Sequence, residues 1–226
     1  MDILGILLKY HKPFVEALLV TTKLSVISLI GATILGIIFG MFKISHNRIL
    51  KGIASIYIEI IRGTPLMVQA FIIYYGLAQA LRPFGFSWVP LGGAFTAGVI
   101  SLSLNSGAYM AEIIRGGIEA VDIGQVEAAR SLGLSYFKTM RKIILPQALR
   151  IMLPSIINQF IISLKDTSIL SIIGIRELTM NGKLIAANSA TMVMPIWLTV
   201  ALFYFFICII LSSIAKYTER RLNYGK

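Results

Sequence analysis

Five apolar stretches, roughly residues 14–42, 52–81, 91–114, 147–173 and 193–215, dominate this chain. Each is near or above the ~20 residues that the hydrocarbon core of a bilayer demands of a helix. In hydrocarbon, backbone amides and carbonyls must be satisfied within the segment, so runs of this length span as helices. The expected fold is all-α: a polytopic membrane protein of about five transmembrane helices, with residues 1–226 forming a single transmembrane domain. A mean hydropathy of +0.82 leaves no polar stretch long enough for a separate soluble domain. The N-terminus lacks a basic leader followed by a short apolar run and a small-residue cleavage site, so the first segment is expected to stay in the membrane.

Charge sets the orientation. The net charge of +11 would suit nucleic acid if the cations shared a soluble face, but they are scattered through the connecting loops. Alternating the loops puts Lys43, Arg48, Lys51, Arg115, Arg130, Lys138, Arg141, Lys142, Arg150, Lys216, Arg220, Arg221 and Lys226 on one side. Lys9, Lys12, Arg82, Arg176 and Lys183 fall on the other, with Lys23, Arg62 and Lys165 inside spans. The positive-inside rule then places the N-terminus outside and the C-terminus in the cytoplasm, with the basic tail from Lys216 lying on the membrane surface. No nucleic-acid partner is expected. The single cysteine, Cys208, lies in an apolar run, so neither an intrachain disulfide nor a thiol-rich metal set is available. His11 and His46 stand at opposite ends of the first span, which argues against a histidine-based catalytic site.

Polar residues inside the spans carry most of the functional information. Gly31, Gly36 and Gly40 in the first span have the spacing of a helix-packing face. In the second, Ile61-Arg62-Gly63-Thr64-Pro65 sets a breaker and a proline mid-segment. Pro65 lacks an amide hydrogen and so deprives the carbonyl of residue 61 of its usual partner. On a straight helix Thr64 would stand about 20 Å from Lys51, deep in the membrane. The third span carries Ser101, Ser103, Asn105 and Ser106, and Glu112 and Arg115 are spaced for an ion pair, as are Glu59 and Arg62. The fourth contains Asn158, Gln159 and a lone acid, Asp166, which Lys165 cannot pair from the same face because adjacent helical residues point about 100° apart.

Residues 119–146 form a polar stretch of a different kind. Asp122 with Gln125 three residues on reads as a helix start with a side chain reaching back, and the alanines after it favour helix. Gly133 allows the chain to turn, and Pro146 is expected to open the next span. Glu127-Ala128-Ala129, three residues, Gly133, nine residues, Ile143, one residue, Leu145-Pro146 resembles, at every named position, the EAA loop of the permease subunits of ABC importers. RGTPLMVQ at 62–69, NSGAYMAEIIRGGI at 105–118 and KDTSIL at 165–170 are similar to permeases of the polar amino-acid uptake family, type I binding-protein-dependent importers.

The resemblance implies a multi-pass protein of the cytoplasmic (inner) membrane, with 119–146 as a cytoplasmic coupling loop. Its coupling positions would be Glu127, Ala128, Ala129 and Gly133, seated in a cleft of an ATPase. It further implies two cytoplasmic ATPase subunits, a second permease copy or paralogue, an extracytoplasmic solute-binding protein and an amino-acid substrate. The chain contains no G-x-x-x-x-G-K-[ST] phosphate loop, so ATP belongs to the partners: this chain is expected to bind no cofactor or metal and to be no enzyme. The expected cargo is a polar amino acid, cationic if Asp166 meets its side chain, with Asn105, Ser103, Thr64 and Gln69 as the other candidate contacts. A secondary transporter would account for the buried acid and the broken helix but leaves the coupling loop unexplained. A non-transporting membrane partner is the other alternative.

Overall fold

The computed structural model describes residues 3–188 and 191–223, with side chains as far as residue 217. The first helix, α1 (Ile3–Lys43), starts well before residue 14. It bends at Tyr10 (φ −116°, ψ 20°), where Pro13 breaks the ladder of amide hydrogen bonds. α2 (Arg48–Arg62) begins on Asn47, whose side-chain oxygen accepts the amides of Ile49 (2.9 Å) and Leu50 (3.4 Å). α3 (Leu66–Phe84) follows at 103° to α2. The second span is therefore a bent pair, which overturns the straight-axis depth assigned to Thr64. The breaker and proline do not merely kink the segment; they stop one helix at Arg62 and start another at Leu66.

α4 (Ala94–Glu119) runs through the middle of the bundle. Three described helices are apolar and long enough to cross a membrane: α1, α6 (Tyr136–Ile173) and the Val193–Tyr217 part of α8 (Val193–Asn223). The bent pair, counted as one span, makes a fourth. α4 is long enough at 26 residues but less apolar, because its neighbours are other helices rather than lipid. Ser101, Ser103, Asn105 and Ser106 are all buried on it, and the Ser106 and Ser163 hydroxyls pair at 2.9 Å. The glycine face of α1 meets α4 closely. A Cβ added at Gly31 would stand 2.6 Å from Ser103 Oγ, and one at Gly40 would stand 3.0 Å from the Ala111 carbonyl oxygen.

Two expectations in the loop change. The short helix α5 (Ile123–Ser131) is capped by Asp122, which accepts the Gly124 amide at 2.7 Å, but Gln125 sends no side-chain bond back. Pro146 does not open the fourth span. α6 already begins at Tyr136, and a π turn over Met140–Ile144 precedes the proline, with the Leu145 amide reaching back to the Met140 carbonyl. That wider turn lets the helix absorb a residue without an amide hydrogen.

Beyond α6, Glu177 caps α7 (Leu178–Ala187) from a buried position. It accepts the amides of Thr179 (2.9 Å) and Met180 (2.7 Å) and the Tyr204 hydroxyl (2.6 Å). Burial pushes its carboxyl above the usual range, and these hydrogen bonds pull it back. The Leu178 amide next to it donates to Thr21 on α1 (3.1 Å), so one turn ties α1, α7 and α8 together. Among the expected cytoplasmic cations of the tail, Arg220 and Arg221 lie where side chains are not described, and Lys226 lies outside the described residues.

Candidate functional site

The break between α2 and α3 is built, not merely tolerated. Three carbonyls near it lack the usual helical partner, and side chains supply the bonds. Thr64 Oγ1 donates to the Ile60 carbonyl at 2.8 Å. The Gln69 side-chain nitrogen donates to the Ile61 carbonyl (2.8 Å), the Thr64 carbonyl (3.0 Å) and Thr64 Oγ1 (2.9 Å). The orphan expected at residue 61 is thus answered by Gln69, eight residues on. Asn105 Nδ2 donates to Gln69 Oε1 at 3.0 Å, which fastens the break to α4.

Around this break lies a polar groove in three connected parts. The part at the break, about 530 Å³, is lined by Arg62, Thr64, Pro65, Asn105, Tyr109, Gln159 and Asp166 among others. It sits within the size range of small-ligand sites, about 300–1,000 Å³. A second part of about 560 Å³ shares Arg62, Tyr109 and Gln159 and extends to Glu112, Pro154 and Asn158. A third, about 330 Å³, carries Lys43, Lys51, Glu59, Arg62, Glu112, Arg115 and Glu119. Asn105, Tyr109, Glu112, Arg115 and Glu119 thus mark successive levels along α4, about 21 Å by helical rise.

Four of the five candidate contacts meet here. Asp166 and Thr64 face the first cavity, Asn105 borders it, and Gln69 lies directly behind Asn105 and Thr64. Ser103 turns the other way: its hydroxyl donates to the Ser28 carbonyl on α1 at 3.2 Å. Asp166 has no ion pair and no side-chain hydrogen bond among the described residues. A half-buried acid without a partner, opening into a cavity, is chemically unspent. Gln159 is buried, 6% exposed, and its amide likewise bonds to no described residue.

The ion pairs follow the spacing only in part. Glu112 and Arg115 pair as spaced, at 2.8 Å, and Arg115 also holds Glu119. Arg62 does not pair with Glu59. It crosses to α4, where it stands 3.8 Å from Glu112 and 5.4 Å from the Tyr109 ring centre. The bend carries Arg62 to α4, a displacement that spacing along one helix cannot express. Arg62 and Gln159 were visible in the sequence as polar residues inside apolar spans. Tyr109, an aromatic in an apolar run, gave no such signal.

The positions expected to couple lie away from the groove, in and after α5. Glu127 and Ala128 are exposed, whereas Ala129 is buried against the bundle. Gly133 ends α5 with φ +78°. The Leu134 amide bonds back to the Ala129 carbonyl (3.1 Å) and the Gly133 amide to that of Arg130 (3.0 Å), the double closure of a Schellman motif. Beside it Ile123, Leu132, Tyr136 and Phe137 are all exposed, at 73%, 83%, 48% and 71%. This apolar set is larger than an isolated loop of such polarity has reason to display.

Residues 32–224 match the family described as binding-protein-dependent transport system inner membrane component. The chain is 41% identical to the glutamine transport system permease protein GlnP of Escherichia coli (strain K12), with 92% of each chain covered. It is 40% identical to the arginine transport system permease protein ArtQ of Bacillus subtilis (strain 168), with 93% of each covered. A crystal structure of an amino acid ABC transporter with histidines superposes with a TM-score of 0.87 at 40% identity, covering 98% of this chain and 99% of that one. An inward-facing structure of the MetNI methionine ABC transporter shares the fold, with a TM-score of 0.73 at 17% identity. A bundle around a polar groove, a broken second span and a loop keeping every position of the EAA pattern converge with these likenesses: the chain belongs to the family of binding-protein-dependent inner membrane components, and is a multi-pass permease subunit of an ABC importer, a transport subunit and not an enzyme.

Proposed function

We propose that this permease carries polar amino acids inward, with cationic ones preferred, and that Asp166 meets the cargo's side-chain cation. The observation that supports this is the unpaired Asp166 carboxylate in the 530 Å³ cavity at the break. A partly desolvated carboxylate pairs best with a cation, and the unbonded amide of Gln159, with the Asn105 amide's remaining hydrogen-bonding capacity, lines the same cavity. The relatives named for glutamine and arginine are almost equally similar to this chain, so identity alone does not choose between those cargoes.

In this reading two cytoplasmic ATPase subunits supply the energy, an extracytoplasmic solute-binding protein delivers the cargo, and a second permease copy or paralogue closes the groove. Glu127, Ala128, Ala129 and Gly133 form the ATPase dock within the loop 119–146, beside the exposed Leu132 and Phe137. The N-terminus lies outside and the C-terminus in the cytoplasm.

The test is Asp166→Asn in the reconstituted complex, reading uptake and substrate-stimulated ATPase activity for arginine, lysine, histidine and glutamine. Loss of one charge-assisted contact should weaken the cationic amino acids about tenfold or more and leave glutamine nearly unchanged. Equal treatment of all four would remove Asp166 from the site.

A further inference from the structure

Arg62 alone among the described residues lines all three parts of the groove. Its backbone is fixed as the last residue of α2, at the break that Gln69 holds. Its head is not fixed in the same way. The guanidinium side chain is 44% exposed and donates no hydrogen bond to any described residue. It stands 3.8 Å from Glu112 Oε2, an oxygen that already accepts two bonds from Arg115, at 2.8 and 3.2 Å. Glu112 is therefore satisfied without Arg62, and five N–H donors are left over a polar cavity.

The cavity at the break thus presents one unspent anion, Asp166, and one unspent cation, Arg62. Any amino acid carries an α-carboxylate, and a guanidinium is the side chain best shaped to take it through two parallel bonds. We propose that Arg62 binds the α-carboxylate of the transported amino acid, exchanging its loose contact with Glu112 for that of the cargo. This rests on the amino-acid reading of the same cavity given above. Two groups on one cavity then divide recognition: Asp166 reads the variable side chain, and Arg62 reads the group common to all amino acids. Asp166 and the α-carboxylate stay apart, as two anions must in a partly dry site.

The test uses the permease with its ATPase subunits in nanodiscs, without solute-binding protein, and measures equilibrium binding of labelled arginine, lysine, histidine and glutamine. The tightest binder is then compared with its own α-carboxamide. The wild-type complex should prefer the acid about tenfold or more. Arg62→Gln should reduce that preference to within about twofold by weakening the acid alone, with Arg62→Lys intermediate because a point charge replaces a planar fork. Glu112→Gln, which frees Arg62, should tighten the acid several-fold and leave the carboxamide unchanged.

A preference that survives Arg62→Gln overturns the proposal. If Arg62→Gln fails to assemble, Glu112→Gln decides, and an unchanged acid-to-carboxamide ratio there overturns it as well. Equal wild-type binding of acid and carboxamide defeats the exchange but leaves the amino-acid reading standing. No binding of any of the four amino acids defeats both.

Discussion

Gly133 illustrates how much one residue's backbone decides. Its φ of +78° lies where a β-carbon crowds the following carbonyl, yet a Cβ added there would meet nothing within 4 Å. The cost of replacement is therefore conformational and not steric, about 1–2 kcal/mol for an ordinary residue. Asparagine, which enters the left-handed region more readily, should be milder than valine. Gly133→Asn is expected to keep most ATPase attachment in copurification, whereas Gly133→Val should lose several-fold more, with both inserted in the membrane. Comparable loss for the two would mean that side-chain size at a docked surface, rather than the turn, sets the requirement. The turn itself was legible in the sequence, since glycine before a second polar segment has a physical meaning. Gln69 was legible only as a polar residue at depth. That its amide would serve Ile61 and Thr64 depends on how sharply the chain bends, which the proline does not specify.

Among the elements, α4 is the axis, and its composition is explained by its neighbours. A helix facing lipid on one side can be uniformly apolar, as most of α8 is, but a helix enclosed by others needs small and hydroxylated residues for close approach. That is why α4 falls short of the apolarity of α1 and α6 while being the most buried of them. The α1 glycines and α4 fit as one surface: Gly36 faces Met110, and Gly107 faces Leu35 and the Tyr57 hydroxyl, which donates to the Leu104 carbonyl at 2.7 Å. Gly36→Val should therefore force α1 and α4 apart, since the Met110 backbone as well as its side chain lies in the way. Overpacking of this sort costs about 1–3 kcal/mol. It should lower the melting temperature of the detergent-purified complex, while Gly52→Val, where an added Cβ meets nothing within 4 Å, should shift it much less. Similar shifts at both positions would deny the α1–α4 contact its role. Helix existence and the glycine face were readable from period and spacing. The 103° bend and the π turn before Pro146 were not, because proline predicts a fault in the ladder but tertiary packing chooses its form.

At the scale of the whole molecule, the cavities of the groove open to the surface, so the described residues of a single chain leave it unclosed. The same openness explains why the cavity could be anticipated only as a set of polar residues: its walls come from α2, α3, α4 and α6 together, and depth along one axis cannot tell which face each residue takes. Orientation is the one global property that loop charge addresses directly. Alternation of the spans assigns Lys43, Arg48, Lys51, Arg130, Lys138, Arg141 and Lys142 to one side and Arg82, Arg176 and Lys183 to the other. The single native thiol makes this measurable, because Cys208→Ser leaves a cysteine-free chain. Cysteine is then placed at Phe84, 85% exposed at the end of α3, or at Leu132, 83% exposed after α5. In intact spheroplasts expressing the permease without its ATPase, a membrane-impermeant maleimide should label Phe84→Cys at once. Leu132→Cys should react only after permeabilisation or in inside-out vesicles. The reverse pattern would put the EAA loop outside, away from any source of ATP, and the coupling assignment would fall with the topology.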